Sequence, residues 1–182
     1  MKELSLHILD IAMNSIRAEA SKLKVEITED TANDSLSIII TDNGFGMDEE
    51  MVKSVLDPFT TTRTTRKVGL GIPLFKANAE GCNGDFSITS ELDIGTTVTA
   101  KFQLSNIDRP VLGNISSVIS MILCSHPNIE VSFTYKKDIN KYSISTKEIK
   151  AELGGVSMQK LEVKSIIENI IISELNELKI ID

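Results

Sequence analysis

Residues 36–47 read LSIIITDNGFGM, and this stretch decides how the chain folds. Its first half is a short β-branched run, which is typical of a buried strand. The run stops at Asp42, after which Gly44 and Gly46 permit backbone conformations that a side chain would forbid. A carboxylate at the end of such a strand, beside a pocket walled by glycine, can accept a hydrogen bond from a buried amine such as that of adenine. A plain Asp-Asn-Gly turn is the alternative.

An amphipathic helix is predicted upstream, over residues 4–20, where apolar side chains recur at intervals of three and four. Asp10 and Asn14 are four residues apart and therefore share one face of this helix. A carboxylate beside an amide oxygen can hold a hydrated magnesium ion and orient a water molecule. For this pair alone, a solvated polar flank is the alternative interpretation.

A Thr-rich, basic loop is predicted over residues 57–68, and Gly69-Leu70-Gly71 then opens a helix that ends near residue 80. Glycines let backbone N–H groups approach phosphate oxygens, and the N-terminus of a helix favours negative charge. Three cations precede the glycines, at Arg63, Arg66 and Lys67. The segment is neither a P-loop nor a Rossmann fingerprint. It indicates an anion site, with a simple helix-entry turn as the alternative.

The remaining elements suggest two units with a boundary near residue 106. Further short strands are predicted over residues 24–29, 86–90 and 96–104. The second unit contains a helix, a hairpin and a long amphipathic helix, predicted over residues 111–124, 128–146 and 158–179. One broad apolar face of the long helix carries Leu161, Ile166, Ile167, Ile170, Ile171 and Leu175. This face can pack within the chain, or it can bind a partner or a second copy.

The chain of 182 residues is acidic, with a formal net charge of −7 and a pI near 4.9. This balance argues against a general nucleic-acid binder, which needs a basic footprint. No apolar run reaches the ~18–20 residues of a membrane span. Charged and polar side chains near the start argue against a signal peptide. The two cysteines are too few for a disulfide framework or a metal site, so we expect a cytoplasmic protein with reduced thiols.

Taken together, these segments resemble the GHKL superfamily, which includes gyrase-type topoisomerases, heat-shock chaperone ATPases, sensor histidine kinases and mismatch-repair ATPases. The N box of that superfamily is similar to residues 7–25, HILDIAMNSIRAEASKLKV, and its first glycine box is similar to DNGFGM at residues 42–47. Residues 58–72 resemble the kinase-type phenylalanine box and the second glycine box. Residues 95–97, Gly-Thr-Thr, resemble the late segment of the superfamily. All the boxes occur in family order over roughly residues 4–104.

The resemblance implies an α+β fold, namely a two-layer α/β sandwich of the Bergerat type that binds ATP and magnesium. We expect the ATP-binding domain to cover residues 1–106. A small α+β extension would then cover residues 107–182 and carry a partner or dimer surface. No nucleic acid and no membrane are expected as partners.

The resemblance also implies roles for individual residues. Asp10 would be the catalytic base, Asn14 would hold magnesium and Asp42 would bind the adenine amine. The adenine base would be lined by Gly44, Gly46 and Met47, and Thr97 would support the adenine end of the site. The phosphates would be bound, within a mobile lid, by Thr62, Lys67, Gly69, Leu70 and Gly71.

One departure from the family leaves the reaction open. Asp10 stands where the hydrolases of the family generally have Glu and the kinases usually have Asn. Asp is one methylene shorter than Glu, and a misplacement of about 1 Å is costly in a positioned reaction. We expect an ATP-dependent enzyme that transfers the γ-phosphoryl group to a partner protein in trans. The alternatives are a slow stand-alone ATP hydrolase that uses Asp10, and a nucleotide-sensing module without catalysis.

Overall fold

The computed structural model describes residues 3–57, 70–177 and 179. The strands within these ranges are β1 (Lys22–Asp30), β2 (Ser35–Asp42), β3 (Asp85–Glu91), β4 (Gly95–Gln103), β5 (Glu130–Lys137) and β6 (Asn140–Ser145). The helices are α1 (Leu4–Arg17), α2 (Glu49–Leu56), α3 (Gly71–Gly81), α4 (Ile115–Ser125), α5 (Thr146–Leu153) and α6 (Leu161–Glu177). None of these described helices is both long enough and apolar enough to cross a membrane.

All six described strands belong to one mixed sheet with the order β3-β4-β2-β1-β5-β6. Neighbouring strands are antiparallel except for β1 and β5, which are parallel. Buried and more exposed side chains alternate along β1, β2 and β4, so the sheet buries one face. Helices α1, α3, α4 and α6 contribute buried residues to the same core. This arrangement confirms the predicted α+β two-layer sandwich.

Strand β2 lies inside the sheet, because it pairs with β1 on one side and with β4 on the other. Its side chains Leu36, Ile38 and Ile40 are at most 1% exposed. Helix α1 covers them with its own buried residues Leu4, Ile8, Ile11 and Ala12. The polar flank of α1 and the end of β2 consequently meet at the rim of the core.

Residues beyond 106 extend the same sheet. Strand β5 pairs with β1 from Lys22 opposite Glu130 to Glu29 opposite Lys137, and β6 then forms the edge of the sheet. Helix α4 packs against both α1 and α6. The predicted boundary falls in the connection between β4 and α4, and the sheet and the core are continuous across it.

Helix α6 buries only part of the broad apolar face that the sequence predicted. Its buried residues are spaced by four and are Val163, Ile167, Ile171 and Leu175. The other apolar residues of the predicted face, Leu161, Ile166 and Ile170, are 74%, 58% and 45% exposed. The physical reason is that α6 packs mainly on one neighbour, α4, so only one row of side chains is covered.

Helix α5 was not predicted from the sequence. It begins directly after β6, where Ser145 accepts a hydrogen bond from the Glu148 N–H and donates one to the Glu148 carboxylate. Both bonds involve the Ser145 hydroxyl, and the Ser-x-x-Glu spacing, which is typical of a helix N-terminus, was present in the sequence. The helix ends at Gly154, whose left-handed conformation is typical of a helix C-terminus.

Candidate nucleotide-binding site

The carboxylate of Asp42 is held from two sides at the end of β2. Its Oδ1 accepts a hydrogen bond from the Gly44 N–H at 2.9 Å, and its Oδ2 accepts one from the Ser15 hydroxyl at 2.5 Å. Ser15 is buried on α1, so this bond ties the helix to the strand. A carboxylate has about four lone-pair positions, which leaves Asp42 able to accept a further hydrogen bond from a ligand.

Close backbone packing forms a wall beside Asp42. A Cβ at Gly44 would lie 2.6 Å from the carbonyl oxygen of Ala18, just after α1. Gly46 has a φ of +65°, and a Cβ there would lie 1.9 Å from the carbonyl oxygen of Glu91. Side chains are therefore excluded at both positions, and the backbone after β2 packs directly against the end of α1 and the β3–β4 turn.

A network of hydroxyl groups lies next to this wall. The Met47 N–H donates to Ser90 Oγ at 2.8 Å, and Ser90 Oγ lies 2.8 Å from Thr96 Oγ1. Thr96 is directly opposite Asp42 in the pairing of β4 with β2, so the two side chains share one face of the sheet. Ser90 and Thr96 were missed by the sequence reasoning, because their proximity to Asp42 depends on strand register.

Thr97 lies on the other face of the sheet. It is opposite Thr41 in the register, and its hydroxyl donates to Thr41 Oγ1 at 3.2 Å. Successive residues of a strand point to opposite faces. The structure therefore brings Thr96 to the Asp42 side of β4 and does not bring Thr97 there.

Asn14 lies on the exposed flank of α1 and is half-buried. Its Oδ1 accepts a hydrogen bond from Arg17 Nη1 at 3.0 Å. An amide oxygen has two lone pairs, and amide oxygens are among the ligands that magnesium prefers. Asn14 thus fits a magnesium ligand that acts together with phosphate oxygens and water. Arg17 was missed by the sequence reasoning, although its position one turn after Asn14 was a usable signal.

Asp10 lies against the first turn of α3. A Cβ at Gly71 would lie 1.6 Å from Asp10 Oδ2, so the contact requires glycine. This Oδ2 is buried and has no hydrogen-bond partner in the described part of the chain. Asp10 as a whole is only half-buried, so part of its side chain remains accessible. Leu70, at the N-cap position of α3, makes no side-chain hydrogen bond to the helix, so the first turn keeps its attraction for negative charge.

His7 connects α1 to α3 one turn before Asp10. Its ring is 0% exposed, stacks on Phe75 with 4.8 Å between ring centroids, and places Nε2 at 2.8 Å from Asn78 Nδ2. Burial lowers the pKa of His7 to about 4, and a backbone group of Gly71 acts weakly in the opposite direction. His7 is consequently neutral at pH 7, and its contacts with Phe75 and Asn78 hold α1 against α3.

The buried His7 predicts a loss of stability in mild acid. Its pKa is about 4 in the folded chain and about 6.5 in the unfolded chain, so the unfolded chain binds the proton more readily. Stability is complete above about pH 6.5 and falls as the pH decreases towards 4. We expect ~2 kcal/mol less stability at pH 5 than at pH 7. Urea unfolding at both values measures this, and His7→Phe should remove most of the difference; an equal loss in that variant would contradict the prediction.

Part of the predicted phosphate site lies outside the described residues. Thr62, Lys67 and Gly69 belong to that part, as do the neighbouring cations Arg63 and Arg66. Two cavities in the described residues, of about 590 and 270 Å³, are lined by other regions. The candidate site is therefore defined by the positions of its polar side chains and not by a cavity.

The sequence model of the family described as histidine kinase-, DNA gyrase B- and HSP90-like ATPases matches residues 2–106. This match covers more than half of the chain. The chain belongs to this ATPase family. Asp10, Asn14, Asp42, Gly71 and Thr96 all lie within the matched residues, so the geometry above belongs to a GHKL ATP-binding domain.

Curated relatives from this ATPase family include histidine kinases. A Rickettsia conorii protein, NtrY-like and named as a sensor histidine kinase, is 29% identical over 108 residues, which are 59% of this chain and 18% of that protein. The histidine protein kinase SaeS of Staphylococcus aureus is 28% identical over 104 residues, or 54% of this chain and 29% of the kinase. The chain therefore spans less than a third of the length of these relatives.

Two solved structures share the fold. The N-terminal domain of a DNA repair protein superposes with a TM-score of 0.62 at 18% identity, covering 88% of this chain and 55% of that one. The Aquifex aeolicus MutL ATPase domain complexed with ADP superposes with a TM-score of 0.52 at 14% identity, covering 92% and 69%. Both superpositions extend beyond residue 106, so the fold they share with the chain includes part of the region after the family match.

Proposed function

We propose that the chain binds Mg-ATP at the site around Asp42, Asn14 and Asp10 and transfers the γ-phosphoryl group to a partner protein in trans. The observation that carries the proposal is the carboxylate of Asp42, which two donors hold at the end of an inner strand beside a glycine wall. An exocyclic amine of adenine placed there would donate to a fixed, charged acceptor. Membership of the ATPase family and the similarity to histidine kinases support this reaction.

Charge neutralisation would be the main task of the residues around the phosphates. Asn14 would hold magnesium, which supplies positive charge to the phosphate oxygens. Arg17 would add a cation on the same flank of α1, and the first turn of α3 would add backbone N–H groups. Lys67, Thr62 and Gly69 keep the phosphate-binding roles that the sequence predicts.

Slow ATP hydrolysis is the second candidate reaction, and Asp10 is the observation that favours it. One of its oxygens is buried against Gly71, so the carboxylate is fixed next to the predicted phosphate position. A carboxylate in this place can accept a proton from an attacking water. The same pocket would therefore serve either acceptor, and both reactions would occur in the cytoplasm, where ATP is available.

The acceptor is identified by incubating the full chain with ATP labelled in the γ position, alone and with cell extract from its source. We expect label on a protein of the extract, together with slow release of free phosphate from the chain alone. Excess unlabelled ADP should compete with ATP for the site. Protein labelling that persists in the presence of this ADP would contradict transfer from this site. Free phosphate without protein labelling would select hydrolysis.

The partner would bind the C-terminal region, at a groove of about 270 Å³ between α5, α6 and β6. Its apolar lining consists of Ile144, Ile149, Leu153, Val163, Ile166, Ile167 and Ile170. The charged lining consists of Glu148 and Glu152, so the groove suits an amphipathic helix with basic flanks from a partner protein. A second copy fits less well, because α6 itself carries four glutamates and one lysine.

This choice of partner predicts that the chain alone is a monomer. Like charges on two copies of α6 would meet across the groove and oppose pairing. Light scattering after size exclusion should give a mass near 20.0 kDa at micromolar concentration. A dimer that Ile166→Glu converts to monomer would overturn the choice and identify a second copy as the occupant.

A further inference from the structure

The sequence Asn-Gly occurs twice in the chain, at residues 43–44 and 83–84. Glycine has no side chain to hinder its own backbone nitrogen, which can therefore approach the side-chain carbonyl carbon of the preceding asparagine. The first pair directly follows β2, and the second pair lies between α3 and β3. Both asparagines are exposed, so solvent reaches both. The hydrogen bonds around the two pairs, however, differ strongly.

Asn43 is held at both polar atoms of its side chain. Its Oδ1 accepts hydrogen bonds from the N–H groups of Ser21 at 3.0 Å and Lys22 at 2.7 Å, and its Nδ2 donates to Ser21 Oγ at 2.9 Å. The N–H of Gly44 donates to the carboxylate of Asp42, and Gly44 is buried. Bringing the Gly44 nitrogen onto the Asn43 side chain would break all of these bonds. We therefore expect the first pair to be protected.

Asn83 is held much less firmly. Its side chain makes one hydrogen bond within the described part of the chain, from Nδ2 to Gln103 Oε1 at 2.9 Å. The N–H of Gly84 donates to the carbonyl oxygen of Ala79 at 3.0 Å, and this oxygen also accepts from the N–H of Cys82 at 3.1 Å. The shared acceptor lies at the C-terminus of α3, and helix ends open locally at a lower free-energy cost than the interior of a sheet. The second pair thus opens more readily than the first.

The surroundings of Asn83 give the reaction access to water and make its product unfavourable. Asn83, Asp34, Asp85 and Gln103 line an open groove of about 590 Å³. The Gln103 amide accepts from Asn83 and donates from Nε2 to Asp34 at 2.9 Å. A carboxylate at position 83 would face Gln103 Oε1, and turning the amide round would direct that same oxygen at Asp34. Two acceptors therefore face each other in either orientation.

We propose that Asn83 is a site of spontaneous deamidation, whereas the fold protects Asn43 from this reaction. The nitrogen of Gly84 attacks the side-chain carbonyl carbon of Asn83 and loses its proton, and the side-chain nitrogen leaves as ammonia. Water then opens the resulting cyclic imide at either carbonyl group, which gives aspartate or isoaspartate. The reaction needs no ATP, metal or oxidant, so it is independent of the proposed function. Isoaspartate adds a methylene group to the backbone just before β3, where Asp85 pairs with Lys101.

The test incubates the folded full chain in warm, mildly alkaline buffer and follows both pairs by mass spectrometry of its peptides. The mass change from replacing NH2 by OH should appear at Asn83 at least about tenfold faster than at Asn43. In urea the two rates should become similar, because both asparagines precede glycine. Equal rates in the folded chain, a faster change at Asn43, or an intact Asn83 while the unfolded chain is modified overturns the proposal.

Two variants test the cause of the difference. Ser21→Ala removes the acceptor of Asn43 Nδ2, so it should speed the reaction at Asn43 without changing the rate at Asn83. Asn83→Gln keeps an amide but requires a larger ring, so modification of the second pair should stop. An unchanged rate at Asn43 in Ser21→Ala would overturn protection by these hydrogen bonds.

The consequence of deamidation is tested with Asn83→Asp, which carries the charge of the aspartate product. We expect its melting temperature to fall by about 2–4 °C, because the contact of residue 83 with Gln103 becomes repulsive. Asn128→Asp is the matched control, since it adds the same charge at another exposed asparagine. An equal fall in both variants, or no fall in Asn83→Asp, would overturn this consequence.

Discussion

Asp42→Asn should lower the affinity for ATP about 100-fold while the chain remains folded. The fold should survive because Asn is isosteric: its Oδ1 can accept from the Gly44 N–H, and its Nδ2 can donate to the Ser15 hydroxyl, which is free to rotate. The adenine amine would then face a donor in place of a charged acceptor. The variant loses a hydrogen bond to a charged group and leaves a buried donor unpaired. Together these two effects weaken the free energy of ATP binding by about 3 kcal/mol.

Calorimetry with a non-hydrolysable ATP analogue and magnesium measures this change. Asp85→Asn is the matched control, because it removes one negative charge from an exposed position at the start of β3. GTP gives a second readout, since the amide that Asp42→Asn introduces can donate to the guanine carbonyl that the native carboxylate repels. The ratio of GTP to ATP affinity should therefore rise in Asp42→Asn only. Unchanged ATP affinity would show that the base binds elsewhere.

The parts of the fold that the sequence predicted correctly are those fixed by local patterns. Helix α1 and strand β2 were predictable because their apolar side chains repeat with the periods of a helix and a buried strand. The exposure of Ile166 and Ile170 could not be predicted, because the apolar pattern of a helix does not show how many neighbouring elements will cover that helix. The parallel pairing of β5 with β1 joins residues more than a hundred positions apart, and no local signal encodes it.

The same distinction applies to the candidate site. Asp42, Gly44 and Gly46 form one short motif, and the structure brings them together at the end of β2 as the motif suggested. Thr96, and not Thr97, shares a face of the sheet with Asp42 because of the register between β2 and β4. A shift of the register by one residue would move every side chain of the strand to the opposite face. The contacts of His7 with Phe75 and Asn78 depend on how α3 packs against α1, which no local pattern encodes.

Asp10→Asn should reduce phosphate release at least 100-fold, with ATP affinity changed less than about threefold. Asn has the same shape as Asp but cannot accept a proton at neutral pH, and a positioned general base typically contributes 10²–10⁴ in rate. The contact with Gly71 should survive, because the side chain keeps its length. Coupled-enzyme detection of phosphate measures the rate, and Glu50→Gln on the exposed side of α2 controls for the loss of one charge.

The same variant distinguishes the two proposed acceptors. A water molecule must lose a proton as it attacks, whereas a neutral imidazole on a partner protein attacks through its lone pair and needs no base. The rate of ATP hydrolysis should therefore fall strongly in Asp10→Asn, whereas transfer of label to an imidazole should persist. Phosphate release at the native rate in Asp10→Asn would exclude Asp10 as the base. The buried oxygen against Gly71 would then serve only to hold α1 and α3 together.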